Sequence, residues 1–278
     1  MADWMQPIEG FTMATDNDRD YEELDPDAVF NKAVELYGEE DLEAAAFHAQ
    51  IAIDLYDSTP DSDFAQMSAL LLLGTILHEF EADNAVPVLR RGLEIAKTFP
   101  DSEELQGRFL LTMGSVLLEE EQFEAAVDIL NQALAAFTAV GVDDDASAAL
   151  VYLGYAYLEM DDHEKAEQVF VRAAEMLADE DDAEELLAPI YLGLGSAYTE
   201  FGRHDEALEA LHRAGELYVE TDAPPEVVAE LQVAFGRLYR AMGRETDALA
   251  SFELALQLYQ VGSADEDSIE TVRQLLAQ

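Results

Sequence analysis

Five histidines, His48, His78, His163, His204 and His212, are the side chains best suited to proton transfer or metal ligation in this sequence. Their spacing offers little. His204 and His212 lie eight residues apart, about two helical turns, with no third ligand evident. His163 and His204 occupy equivalent turn positions, where Phe123 stands in another copy of the pattern described below, so packing is their expected role. Asp161-Asp162 and Asp181-Asp182 read as solvated turns, not acid/base dyads. Asp143-Asp144-Asp145 lacks the spaced ligands of a calcium loop, which leaves only weak surface cation binding open. Cysteine is absent, which excludes disulfides, zinc thiolates and a cysteine nucleophile. No phosphate loop, dinucleotide fingerprint or serine elbow occurs. The expectation is therefore no catalytic residue, no metal and no cofactor; an enzyme would need the histidines to converge. One charged group does stand out. Arg237, Arg240 and Arg244 fall at i, i+3 and i+7, so one helix face carries three cations suited to an acidic group of a ligand, unless Glu200, Glu230 and Asp247 pair them internally.

Those arginines sit in an extreme field: 61 acidic against 14 basic residues, a formal net charge of -47. Such a charge repels phosphate backbones and anionic headgroups, so neither nucleic acid nor a membrane is an expected partner. The acids are spread along the chain, which suits a high-salt cytoplasm where counterions screen self-repulsion; the other reading is a basic partner. The first residues show neither a positive leader nor an apolar run, and no 18-residue apolar stretch is evident, so a soluble, cytoplasmic protein is expected. Residues 1–25 carry no helical period, and the first 28 residues hold nine acids against Arg19 alone. This reads as a disordered tail, with Trp4 and Phe11 as its apolar elements.

The elements that must position any site follow from a repeated spacing. In residues 150–177, Gly154, Ala166 and Ala173 stand at offsets 0, 12 and 19. The same ruler gives Ala33, Ala45 and Ala52; Gly114, Ala126 and Ala133; Gly195, Ala207 and Ala214; and Gly236, Ala248 and Ala255. A second copy is irregular, with Gly74, then Ala85 at offset 11 and Gly92 in place of alanine. Pro87 there demands a position in a first helical turn. Small residues at these offsets let two antiparallel helices approach closely, with bulky residues filling the flanks. Tyr157, Tyr198 and Tyr239 at offset 3, with Leu89, Leu130, Phe170, Leu211 and Phe252 in the second helices, are core positions by periodicity. Gly202 and Gly243, five before the offset-12 alanine, mark left-handed helix ends. Asp25-Pro26 marks a first helix start, while Asp101 with Glu104 and Ser263 with Glu266 have capping-box spacing.

The resulting expectation is an all-α, right-handed α-solenoid of six antiparallel helix pairs, at about 26–58, 61–98, 101–139, 145–178, 183–220 and 225–260, with a capping helix over 263–278. This pattern resembles the tetratricopeptide repeat family, most closely in the turns Tyr198–Leu208 and Ala241–Ala248. The small residues at offset 0 recur every 40 or 41 residues, where the common family period is 34, which resembles the long-repeat subgroup that includes kinesin light chain. The resemblance implies a concave groove lined by the first helix of each pair. Carried over, the groove residues are Thr75, Ser115, Tyr155, Ser196 and Arg237, then His78, Leu118, Leu158, Thr199 and Arg240 three residues on. Leu111, Val151, Leu192 and Val233 would complete an apolar floor. Receptors in this family that clamp a C-terminal carboxylate use groove lysine and asparagine, which these positions lack. The expected function is a non-catalytic adaptor that binds a peptide or helix of another protein, the chain being a monomer or weak homo-oligomer. The alternative is a structural protein whose terminal segments dock into neighbouring copies.

Overall fold

The size of the residue opposite each offset-0 position decides how the helices pair. In a computed structural model that describes residues 24–80, 84–178, 183–262 and 266–277, a β-carbon added to Gly154 would lie 2.4 Å from the ring of Phe170, and one on Gly236 2.4 Å from Phe252. Gly74, Gly114 and Gly195 meet Leu89, Leu130 and Leu211 at 2.3 to 2.4 Å in the same way. So the small residue is a seat for one bulky side chain, 15 or 16 residues later in the chain. The first pair shows the converse: Ala33 replaces glycine, and the residue 16 later is Ala49, both wholly buried. The alanines at offsets 12 and 19 are likewise fully buried wherever the ruler holds.

All described elements are helices: α1 (Pro26–Gly38), α2 (Leu42–Tyr56), α3 (Asp63–Glu79), α4 (Ala85–Ala96), α5 (Glu103–Glu119), α6 (Phe123–Val140), α7 (Asp143–Glu159), α8 (His163–Met176), α9 (Glu184–Glu200), α10 (His204–Glu220), α11 (Pro225–Ala241), α12 (Glu245–Val261) and α13 (Glu266–Ala277). Each odd-numbered helix from α1 to α11 packs on the next even one, and each pair packs on its successor within each of two compact units, the chain dividing between Val142 and Asp143. The expected α-solenoid of six pairs plus a last helix is the fold observed. In the second unit, α13 buries Val272 against Ala229, Phe252 and Tyr259 and so covers the sixth pair.

Turn chemistry explains the helix ends. Gly202 and Gly243 take φ of 68° and 72°. The same left-handed position falls to Glu40, Glu121 and Asp161 in other pairs, with φ of 60°, 57° and 57°, at a steric cost that glycine does not carry. Asp25 caps α1 by accepting from the N–H of Asp27, with Pro26 at the first helical position. Pro87 falls in the first turn of α4, where its missing N–H is harmless. Asp143, Asp144 and Asp145 make the first turn of α7, where carboxylates complement the positive helix end.

Three expectations need correction. Asp101 is no cap: Ser102 is the N-cap residue of α5, while Asp101 holds a left-handed turn with φ of 58°. Tyr157, Tyr198 and Tyr239 are half-buried instead of core, because each ring is roofed by a cation, Lys165, Arg203 and Arg244 at 5.1, 4.2 and 4.5 Å. An 18-residue apolar stretch does exist, α6, with a mean hydropathy of 1.2 and long enough to cross a membrane by composition alone. It carries Glu124 and Asp128, and it packs Ala126, Leu130, Ala133 and Phe137 as the partner of α5. The tail with Trp4, the Asp181-Asp182 pair and Ser263 lie outside the described residues.

A candidate partner-binding face

The face of the first unit formed by α1, α3 and α5 carries a trough of about 570 Å³. Its floor is apolar because α3 is apolar on nearly every side: Met67, Leu70 and Leu73 enter the core, which leaves Leu71 and Leu72 half-exposed along the trough. Phe64, in the first turn of α3, is 70% exposed and Leu105 of α5 faces it across the opening. Tyr37 closes one end and donates a 2.7 Å hydrogen bond to Glu79, which links α1 to α3 and pushes the phenol up to about 12. Arg108 on the rim pairs with Glu104 at 3.0 Å.

Of the groove positions expected in this unit, only Thr75 lines the trough, its hydroxyl donating to the carbonyl of Leu71. The trough lies closer to the N-terminal ends of α3 and α5 than the carried-over residues do. Phe64, Leu71, Leu72 and Leu105 were not singled out from the sequence. Phe64 was legible in principle, as a large apolar residue in a first turn that serves no position of the ruler.

Two other expected positions do converge, in a way the spacing hid. Nε2 of His78 lies 3.3 Å from the hydroxyl of Ser115, and Nδ1 lies 3.3 Å from Glu119. This has the connectivity of a nucleophile, base and orienting acid. Its surroundings defeat that chemistry. Ser115 is mid-helix and buried, its hydroxyl donates at 2.9 Å to the carbonyl of Thr112, and the neighbouring helical N–H groups are already spent on the i−4 carbonyls, so nothing would hold an oxyanion. The cluster joins α3 to α5. Leu111 and Leu118 flank it, half-buried.

In the second unit α7, α9 and α11 form the corresponding face. Tyr155 is half-buried, with its ring edge-on to Phe170 at 5.5 Å and its hydroxyl donating to the carbonyl of Pro189 at 3.2 Å. Pro189 itself sits inside α9, where it lacks the N–H that would donate to the carbonyl of Glu185. Burial, with the charge of Glu230 nearby, pushes the Tyr155 phenol far up. Val151, Leu158, Ser196 and Val233 are partly accessible, whereas Leu192 and Thr199 are buried, Thr199 donating to the carbonyl of Gly195.

The arginine face is largely occupied. Arg240 donates to the carbonyl of Leu275 at 2.8 Å and lies over Phe252 at 4.8 Å, with Glu245 at 3.5 Å. Arg244 pairs with Asp247 at 2.7 Å and stacks on Tyr239. Arg237 is exposed and has no ion-pair partner among the described residues; Glu200 and Glu230 pair with none of the three. Elsewhere the histidines stay apart. His163 packs on Phe201, His212 on Phe235, and His48 contacts the Ala44 carbonyl. No cluster of metal-ligating side chains occurs among the described residues.

The comparisons agree with this geometry. A family model described as tetratricopeptide repeat matches residues 106–179 and 186–261, together more than half of the chain. No curated protein sequence matches significantly. Among solved structures, the apo form of RapI superposes with a TM-score of 0.71 at 13% identity, covering 91% of this chain and 96% of that one. A Rap protein complexed with Competence and Sporulation Factor gives 0.64 at 14% identity, over 90% and 73% of the two chains. Kinesin light chain-like repeats from Podosopora anserina give 0.56 at 18% identity, over 72% and 97%. At these identities the likeness is one of fold.

Proposed function

Because the chain belongs to the tetratricopeptide repeat family, we propose that it is a non-catalytic scaffold that holds a peptide or helix of another protein against its inner helices. The observation that carries this reading is the trough beside α3, an apolar channel of about 570 Å³ with Phe64 70% exposed inside it. An exposed large aromatic beside leucines loses water contact only when something covers it, and burying such a side chain contributes roughly 1.5–3 kcal/mol. The trough is open to solvent at Phe64, which suits an extended segment or one face of a helix. That a structural neighbour was solved complexed with Competence and Sporulation Factor supports this use of the fold. The unproductive Ser115–His78–Glu119 cluster supports the non-catalytic half of the reading.

Affinity capture from the producing cells, in their own salt, tests it. A protein retained by the parent chain and lost from Phe64→Ala, or from Tyr155→Ala combined with Arg237→Glu, is the expected result. Equal retention by all three chains would place binding away from the inner helices and overturn the reading.

A further inference from the structure

We propose that the trough beside α3 accepts a cationic segment, one large apolar side chain flanked by Lys or Arg; this rests on the scaffold reading and specifies its partner. Three observations carry it. The apolar anchor point is Phe64 with Leu72 and Leu105, partly or fully open to solvent and wide enough for an aromatic or leucine side chain. The rim is acidic. Asp101 and Glu104 line it; Arg108 is held by Glu104 at 3.0 Å, while Asp101 in the turn has no ion-pair partner among the described residues. Finally the chain as a whole carries -47, so a cation brought to the trough is attracted along its whole approach and an anion is repelled.

The same charges argue against the other occupants. A second copy brings its own -47 to the contact. The chain's leading 28 residues hold nine acids against Arg19, so they too would approach an acidic rim with like charge.

Two synthetic helical peptides test the proposal, identical in their leucine and phenylalanine positions but with all charged positions Lys in one and Glu in the other. Binding to the full chain is followed by fluorescence anisotropy at about 0.15 M and 1 M KCl, where the screening length falls from about 8 to about 3 Å. The Lys peptide should bind at least tenfold tighter at the lower salt. Its remaining affinity at 1 M should fall at least fivefold in Phe64→Ala, a change at an exposed side chain that leaves the fold intact by circular dichroism. If the Glu peptide binds as well or better and still loses affinity in Phe64→Ala, the cationic preference is wrong and the scaffold reading stands. If the Lys peptide ignores Phe64→Ala, its binding is adsorption to the general field and the trough is not its seat. If neither peptide binds, the trough is not a docking site for such a segment and this proposal is overturned, while the scaffold reading stands or falls on the capture experiment.

Discussion

Replacing Gly154 with alanine adds one carbon, and the structure fixes what that carbon meets. Its position lies 2.4 Å from the ring tip of Phe170, against ordinary carbon contacts of about 3.5–4.0 Å, so more than 1 Å must be found. Phe170 cannot retreat, because a carbon on Gly193 of α9 would lie 2.2 Å from the same ring: the phenyl is clamped between two glycines on two helices. Overpacking of this kind costs about 1–3 kcal/mol, set against roughly 0.5–1 kcal/mol that alanine gains over glycine in a helix interior. Gly154→Ala should therefore destabilise by about 1–2 kcal/mol, read as a lower urea midpoint at unchanged m-value. The decisive control is the Phe170→Ala background. There the clash is gone and the site resembles Ala33 facing Ala49, so the same Gly154→Ala change should turn neutral or stabilising by up to about 1 kcal/mol. Equal effects in the two backgrounds, or a more stable single variant, would refute the size-matching account of how these helices pair.

Glu121→Gly, at φ 57° between α5 and α6, should raise stability by about 1 kcal/mol in urea melts, since the L side chain is strained there. Stability should also climb with salt: with -47 to screen, the melting temperature is expected to rise steeply from low salt to molar KCl, and a flat curve would remove charge repulsion as a factor. Solvent reaches Glu230, yet the protein around it raises its carboxyl above the ordinary range by desolvation. The folded state then holds this proton more tightly than the unfolded one, so its contribution is most favourable at low pH and is lost as pH rises through the raised value. Glu230→Gln should accordingly raise the melting temperature relative to the parent at pH 7 and not at pH 4; the reverse order would contradict that environment.

The fold was legible because its cause is local and repeated. A glycine or alanine at offset 0 and alanines at 12 and 19 constrain two adjacent helices whatever surrounds them. What the ruler could not show was the second set of seats between successive pairs, Gly92 against Phe109 and Gly193 against Phe170, because these depend on how one pair lies on the next. The candidate site was legible in outline only. Thr75 lines the trough, but the family-derived positions assume a groove centred on the glycines, whereas the apolar opening in the first unit is set by Phe64 and Leu105 in the first turns of α3 and α5. The convergence of His78, Ser115 and Glu119 spans two helix pairs, beyond any spacing rule. The arginine row was visible as a stripe, and so was Asp247 as a partner, which Arg244 takes at 2.7 Å; the engagement of Arg240 was not, because it finds a carbonyl on α13, 35 residues away in sequence.

The central claim is that a partner lies against the inner helices, and site-specific photocrosslinking tests it most directly. A benzoylphenylalanine in place of Leu72, in the trough, is compared with one in place of Val219, 82% exposed on α10, both in cells that make the protein. The account predicts a discrete crosslinked polypeptide from position 72 that position 219 does not give, and that Phe64→Ala diminishes. The same adduct from position 219 alone, with none from position 72, would contradict it.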